Sequence, residues 1–271
     1  MKTILLFLSV FLSGSLFSQT PSYVPTDGLV GWWPFNGNAD DESVNTNNGT
    51  VNGATLTQDR FFNENSAYQF DGLDDNISVI RNYQNSFAVS LWFSPISTPG
   101  YNPLIEAFDS NWEIQLKDNT IDYIGFTVSG AQEYISSITA QVNDWQHLVC
   151  AYENDSAFIY YNGVITDEFS VLPLLNTDGT FNFGSSLSGI AQFFNGKLDD
   201  IGIWNRALNE CEITELYTGE SCTVGINELV TSKHLIQILD LMGRETTFKP
   251  NTPLIYVYDD GSTEKVFSVE Y

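Results

Sequence analysis

The chain has 271 residues, with 34 Asp and Glu against 10 Lys and Arg, which gives a formal net charge of −24 at pH 7. A field of that sign repels phosphates and anionic lipid headgroups, so we expect no nucleic-acid partner. Hydrophobic residues make up 42% of the chain and aromatic residues 14%, which is ample for a packed core and excludes a disordered acidic chain.

The N-terminus has the pattern of a secretory signal peptide. Lys2 precedes an apolar run at residues 4–12, and small polar residues follow as far as Ser18. The run is shorter than the roughly 20 apolar residues that a membrane span needs. We therefore expect residues 1–18 to be a removable signal peptide, no membrane span, and a mature protein that is secreted or held at the cell surface.

Residues 22–224 repeat a pattern of strand, turn and strand. Residues 87–93 alternate with period two, as a strand with one buried face does. Residues 157–166 contain two β-like runs split by Asn162-Gly163, a dipeptide that tolerates positive φ and indicates a hairpin. Many short strands of this kind predict an all-β fold, an antiparallel sandwich or barrel.

One segment near the end of this region, residues 209–217, predicts a short helix. Asn209 suits the N-cap, and Glu212 three residues later completes a capping box. Gly219 supplies a stop, because glycine readily takes the left-handed conformation at a helix C-terminus.

The three cysteines allow at most one internal bridge. Cys150 lies in an apolar run, which predicts a buried, inert thiol. Between Cys211 and Thr218 the predicted helix rises about 10 Å, and the four steps back to Cys222 span at most about 13–14 Å. The chain can therefore double back far enough to bring the two Cα atoms within the roughly 7 Å that a disulfide requires, and we predict a Cys211–Cys222 bridge.

The composition changes at residue 225. Residues 19–224 contain 5 basic and 27 acidic side chains, whereas residues 225–271 contain 4 and 7. The second region has its own β-like runs at 235–239, 255–258 and 265–269. We expect it to be a small C-terminal β module that is separate from the sandwich.

Five motifs in residues 27–218 resemble a laminin-G-like (LamG) jelly roll of the concanavalin A-like lectin/glucanase class. They are Gly28–Ser43, Phe70–Asp75, Asp144–Val149, Tyr160–Gly163 and Gly196–Leu208. The resemblance implies a two-layer antiparallel jelly-roll β-sandwich over residues 22–224, with the short helix near its C-terminal end.

The run Asp240-Leu241-Met242-Gly243-Arg244 resembles the Asp-x-x-Gly-Arg core of a type IX secretion C-terminal sorting domain. This resemblance implies that residues 225–271 bind secretion machinery. The protein would then pass the outer membrane and be released or attached at the surface.

A structural calcium ion is predicted from Asp199. Strand alternation places Asp199 on the same face as Ile201 and Ile203, and a buried carboxylate must be paired or metal-bound. Residues 19–224 contain only five basic side chains, and Arg206 is the one that we consider as a partner for Asp199.

The LamG resemblance implies that the oxygen-rich loop 36–50 completes the calcium site, because calcium binds 6–8 oxygen ligands. We take Asp41, Asn45 and Asp199 as its side-chain ligands. The alternative is that the loop residues are turn formers and that Asp199 accepts hydrogen bonds from backbone amides.

The residues favour a non-catalytic binding module, and the resemblance implies a polysaccharide or glycan as its partner. Tyr101 and Trp112 are the best loop-like aromatic residues for stacking on sugar, whereas the other tryptophans are explained by packing. The Glu-x-Asp-x-x-Glu array of jelly-roll glycosidases is absent from the sequence, so we do not expect an enzyme. The alternatives are a structural or adhesive surface protein that binds other proteins and, third, a polysaccharide-degrading enzyme.

Overall fold

The computed structural model describes residues 20–81, 87–97, 100–107, 112–118, 123–128, 132–170, 179–186, 192–222, 235–259 and 261–267. The predicted signal peptide, residues 1–18, lies outside the described residues. The chain divides into two compact units, one up to Cys222 and one from Thr223 onward.

The described elements are, in chain order, β1 (Leu29–Trp33), β2 (Thr50–Asn52), β3 (Thr55–Thr57), β4 (Ala67–Asp71), β5 (Asn76–Arg81), β6 (Phe87–Pro95), β7 (Gly100–Ala107), β8 (Trp112–Asp118), β9 (Tyr123–Val128), β10 (Gln132–Thr139), β11 (Gln146–Glu153), β12 (Ser156–Tyr161), β13 (Val164–Ser170), β14 (Gly179–Phe183), β15 (Asn195–Trp204), α1 (Glu210–Thr218), β16 (Leu235–Leu239), β17 (Leu254–Tyr258) and β18 (Thr263–Val266).

Two antiparallel sheets form the first unit. Sheet A has the strand order β13-β12-β11-β6-β15-β4-β3, and β1 also pairs with β15. Sheet B has the order β10-β9-β8-β7-β14-β5-β2. The predicted all-β jelly-roll sandwich with one short helix is therefore confirmed for the described residues.

The main core lies between the sheets, and alternation along each strand decides which side chains enter it. Val89, Leu91 and Phe93 of β6 are fully buried there, together with Leu148 and Cys150 of β11. Burying an aliphatic or aromatic side chain of this size contributes about 1.5–3 kcal/mol. Burial also raises the pKa of the Cys150 thiol, which keeps it protonated and unreactive.

The outer face of sheet A is covered as well. Ala88 of β6 and Val149 of β11, which alternate with the core residues, pack in a second cluster with Ile213 and Leu216 of α1 and with Val24 of the N-terminal segment. Helix α1 and the N-terminal segment thus lie on sheet A, on the side away from the main core.

Local sequence signals explain how α1 is placed. The Asn209 side chain accepts a hydrogen bond from the Glu212 amide at 3.0 Å, and Glu212 Oε2 accepts one from the Asn209 amide at 2.9 Å. Gly219 ends the helix with φ of +72°. A disulfide joins Cys211 in the helix to Cys222, with the Cα atoms 5.5 Å apart.

The second unit contains a three-stranded antiparallel sheet of order β16-β17-β18. After β16, the Asp240 carboxylate accepts the backbone N–H groups of Met242 and Arg244, and Arg244 Nε donates to it at 2.9 Å. These bonds fold the Asp-x-x-Gly-Arg run into a turn. The last predicted run ends at residue 269, and its residues 268 and 269 lie outside the described part.

The described helix α1 has nine residues. Within the described residues, no helix combines the length and the apolar character required to cross a membrane.

Candidate functional site

A cavity of about 160 Å³ opens beside sheet A, and we call it the Arg60 pocket. Four parts of the chain line it: the N-terminal segment, the loop after β1, the loop between β3 and β4, and strand β15. The described residues that line it are Tyr23, Pro34, Asn36, Asp59, Arg60, Phe61, Ser66, Asp199 and Asp200.

A β-bulge in β15 places two consecutive aspartates in this pocket. The register of β15 against β6 shifts between Asp199 and Gly202, and Asp200 takes a positive φ of +44°. An extra residue of this kind reverses which face the following side chains occupy. Leu198 on one side of the bulge and Ile201 on the other are therefore both in the core, and Asp199 is not. The expectation that Asp199 shares a face with Ile201 is wrong for this reason.

Arg60 forms an ion pair with each of the two aspartates, so one positive charge is shared between two carboxyl groups. Its Nη1 lies 2.9 Å from Asp199 Oδ2 and its Nη2 lies 2.7 Å from Asp200 Oδ2, and all three side chains are largely buried. Burial raises the pKa of both carboxyl groups, and the Arg60 charge opposes that rise. Arg206, the cation that the sequence suggested for Asp199, pairs with Glu212 instead.

The floor of the site continues into an aromatic group on the outer face of sheet A. The Arg60 guanidinium carbon lies 4.4 Å from the Trp92 ring centroid, a cation–π geometry. Trp92 stacks on Tyr217 of α1, with the ring centroids 5.8 Å apart. Trp92 therefore packs against both the guanidinium and the Tyr217 ring.

His147 lies in the same group and is fully buried. Its Nε2 is 2.8 Å from Ser90 Oγ, and its Nδ1 has no hydrogen-bond partner among the residues that the structure describes. Burial and then the nearby Arg60 charge lower the pKa of His147 to about 3. The imidazole is therefore neutral at ordinary pH, and the protonated form that could act as an acid is not populated there.

Phe61 lines the pocket, and Phe62 follows it in an exposed turn. Phe61 is 67% exposed and Phe62 is 80% exposed, and the Phe61 ring centroid lies 4.6 Å from the Arg60 guanidinium carbon. Phe62 has φ of +66°, a left-handed conformation that costs a non-glycine residue about 1–2 kcal/mol. The Asp59 carboxylate fixes the turn, because it accepts the backbone N–H groups of Phe61 and Asn63 at 2.8 Å each.

The residues predicted to bind calcium do not form one open cage. Asp41 Oδ1 accepts the amides of Trp32 and Ser43, and Asp41 Oδ2 accepts the amide of Asn47. Asn45 donates to backbone carbonyls. Asp199 Oδ1 accepts the amide of Asp200, and its Oδ2 binds Arg60 as described.

These donors occupy the carboxylates that calcium would need, so the arrangement does not fit that ion as predicted. The structural calcium stays a prediction that chelation can test. Among the described residues, Asp71 at the end of β4 and Asp74 and Asp75 after it form an acidic cluster tight enough to share an ion. Asp71 and Asp74 are exposed, whereas Asp75 is buried.

The two aromatic residues predicted to contact ligand lie elsewhere. Tyr101 is on β7 in sheet B, is partly exposed, and has the Lys117 Nζ atom 4.9 Å from its ring centroid. The backbone of Trp112 belongs to β8 in the same sheet, and its side chain lies outside the described part. The structure thus places both strands in sheet B, whereas the Arg60 pocket borders sheet A.

Arg60 and the Phe61-Phe62 turn were missed by the sequence analysis. Arg60 is 139 residues from Asp199, so strand alternation could not connect them. Two consecutive phenylalanines within a stretch of polar turn residues, Gln58–Asn65, were an available signal, since core positions of a strand alternate with polar ones.

The chain was compared with known proteins. The family model for the concanavalin A-like lectin/glucanases superfamily matches residues 70–214, which is more than half of the chain. A search of the curated proteins finds no match.

Solved structures of similar fold include domain 4 of AbnA, a GH43 extracellular arabinanase from Geobacillus stearothermophilus, in complex with arabinotriose. It is 21% identical, with a TM-score of 0.58 over 70% of this chain and 98% of that domain. The binding domain of Paraclostridial Mosquitocidal Protein 1 is 21% identical, with a TM-score of 0.59 over 72% of this chain and 52% of that one.

The binding domain of Botulinum Neurotoxin DC in complex with SialylT is 15% identical, with a TM-score of 0.54 over 89% of this chain and 73% of that chain. At these identities the similarity concerns the fold alone. Together with the matched family model and the two-sheet architecture, it leads to one conclusion: the chain belongs to the concanavalin A-like lectin/glucanase superfamily.

Proposed function

We propose that the first unit is a non-catalytic carbohydrate-binding module that acts at the cell surface or outside the cell. The observation that carries this proposal is the Arg60 pocket, which combines an exposed aromatic ring, an exposed amide at Asn36 and a fixed set of charged groups in one cavity. Sugar sites need an apolar face for the ring carbons and a few well-placed polar groups for the hydroxyls.

The acids of the pocket are arranged for binding and not for proton transfer. Asp199 and Asp200 are both tied to Arg60, and Asp59 is tied to the amides of its own turn. Groups held in this way can accept hydrogen bonds from hydroxyls with little loss of conformational freedom. Burial and the coulombic effect of Asp200 raise the pKa of Tyr23 to about 12, which keeps this phenol protonated and able to donate a hydrogen bond.

The relatives of similar fold support the same substrate class. The arabinanase domain was solved in complex with arabinotriose, and a neurotoxin binding domain was solved with SialylT. Another structure of the neurotoxin domain is a complex with rat synaptotagmin II, so protein recognition by an adhesive surface module is the second candidate.

A third candidate is polysaccharide cleavage. Glu106 on β7 lies directly opposite Glu113 on β8 in sheet B. Residues opposite each other on antiparallel strands have Cβ atoms about 4.5–5.5 Å apart, so the two side chains can bring their carboxyl groups near each other, and a pair of carboxyl groups is what glycosidases use. An activity screen on polysaccharides with the wild-type protein and a Glu106→Gln variant tests this alternative.

A glycan array tests the proposed function. We expect the mature protein to bind at least one oligosaccharide without turnover, and Asn36→Ala to weaken that binding. Asn38→Ala is the matched control, because Asn38 is exposed on the same loop but does not line the pocket. The Tyr101→Ala variant distinguishes binding at the pocket from binding at Tyr101, the position predicted from the sequence. Silence on the array, with binding to a surface protein, would favour the adhesive candidate.

We also propose that the protein is exported through residues 1–18 and that residues 225–271 bind secretion machinery. Several large apolar side chains of the second unit are exposed, among them Ile236, Met242 and Phe267, which suits a segment that docks on a partner. A chain truncated after residue 224 should be made but retained inside the cell. Secretion of the truncated chain at the level of the full chain would contradict this role of the tail.

A further inference from the structure

We propose that Phe61 and Phe62 form a stacking platform for one uncharged sugar ring at the rim of the Arg60 pocket. This inference rests on the proposed carbohydrate-binding function and adds to it the class of sugar and the residues that recognise its apolar face.

The turn that Asp59 closes holds Phe62 in a conformation that is unfavourable for a bulky residue. A bulky residue with positive φ is a genuine outlier, and glycine would occupy the position without strain. The Phe62 ring is 80% exposed, so burial of the ring does not compensate for the strain. Strained backbone of this kind is concentrated at functional sites, where a side chain must be held in a particular direction.

The backbone of the turn that carries the platform is fixed by hydrogen bonds before any ligand arrives. Asp59 accepts two amides of the turn, its Oδ2 accepts the Asn63 side-chain amide at 2.9 Å, and the Phe62 amide donates to the Asp59 carbonyl at 3.3 Å. Phe61 contacts the Arg60 guanidinium, which is itself fixed by two carboxylates. A ligand that stacks here therefore meets a turn whose backbone is already ordered, and preorganisation of this kind favours affinity.

The charge of the pocket selects against acidic sugars. Three aspartates and one arginine are the charged residues among its described lining, and the whole chain carries a net charge of −24. Arg60 is already engaged by Asp199 and Asp200, so it is not free to bind a carboxylate or sulfate of a ligand. An uncharged pentose or hexose, with an apolar face for the rings and hydroxyls for the aspartates, matches both features.

The test compares stability and binding in the same variants of the mature protein. Binding is measured by isothermal titration calorimetry. The neutral probes are arabinotriose, cellohexaose and mannohexaose, and the acidic probe is hexagalacturonate. Any oligosaccharide that binds on the glycan array is added to this set. We expect Phe62→Gly to unfold at the same or a higher temperature than the wild type and to bind a neutral probe about tenfold more weakly. Phe61→Ala should lose affinity to a similar degree.

Leu73→Ala is the control, because Leu73 is an equally exposed apolar residue in another turn. It should leave affinity unchanged. If the wild-type protein binds a neutral sugar and both phenylalanine variants bind it equally well, the platform is refuted while the proposed function stands. Preference for hexagalacturonate over every neutral probe would overturn the assignment of sugar class. If the wild type binds no glycan at all, the proposed function itself fails, and this inference fails with it.

Discussion

Replacing Arg60 by methionine should destabilise the fold by about 3–5 kcal/mol at pH 7, the cost of removing one partner from a buried ion pair. The Asp199 side chain is 3% exposed and the Asp200 side chain 12% exposed, so solvent cannot take over the role of the guanidinium. Methionine keeps an unbranched stem over Trp92, and the change therefore removes mainly the charge and its hydrogen bonds.

The stability that the protein loses in the Arg60→Met variant should depend on pH in a defined direction. Burial already raises the pKa of both carboxyl groups in the folded protein, and without Arg60 it rises further. A group whose folded pKa lies above its unfolded value favours folding at low pH, and that contribution is lost as the pH rises through the folded pKa. The deficit of the Arg60→Met variant should therefore be smaller at pH 4.5 than at pH 7.

Urea unfolding followed by tryptophan fluorescence measures both effects. Arg206→Met is the matched control, because Arg206 forms a more exposed ion pair with Glu212, and such pairs contribute about 0–1 kcal/mol. If Arg60→Met costs no more than Arg206→Met at pH 7, or if its deficit grows on acidification, the assignment of Arg60 as the cation that stabilises the two buried carboxyl groups is wrong.

Three further predictions concern other parts of the first unit. The buried His147 should make the free energy of unfolding fall as the pH drops from 6.5 towards 3, by at most about 5 kcal/mol for a pKa lowered by this much. His147→Gln should flatten that part of the plot of the free energy of unfolding against pH. An unchanged plot would count against a buried neutral imidazole. Reducing the Cys211–Cys222 bridge should cost about 3 kcal/mol, the chain entropy of a loop with a sequence separation of 11; equal melting temperatures with and without reductant would contradict this. Chelation with EDTA should leave the melting temperature unchanged, because amides and Arg60 occupy the carboxylates proposed as ligands, and a clear fall that calcium reverses would instead support the calcium prediction.

Features encoded by neighbouring residues could be predicted from the sequence. The capping box of α1 depends on Asn209 and Glu212, which are three residues apart. The hairpin between β12 and β13 depends on Asn162 and Gly163, whose φ values of +49° and +78° are those that this dipeptide tolerates. In each case the interacting groups are close in the chain, so their spacing fixes their geometry before the rest of the protein folds.

The candidate site could not be predicted in the same way. The bulge at Asp200 changes which face of β15 carries Asp199, and strict alternation contains no sign of an inserted residue. Arg60, the partner of Asp199, lies in the loop between β3 and β4. The ion pair therefore forms only when these two strands and β15 are assembled in sheet A. The strain at Phe62 is likewise a property of the closed turn and not of the residue type.

The pairing of β1 with β15 brings the two ends of the sandwich together. Leu29 lies opposite Trp204, the Asn205 amide donates to the Gly28 carbonyl at 2.8 Å, and the N-terminal Val24 packs in the same cluster as α1. A domain whose chain enters and leaves on the same side can be spliced into a surface loop of a host protein without stretching either connection. By the same geometry, a short linker from residue 222 to residue 20, with new termini opened in the β11–β12 turn at Asn154, should give a circularly permuted sandwich that keeps both sheets.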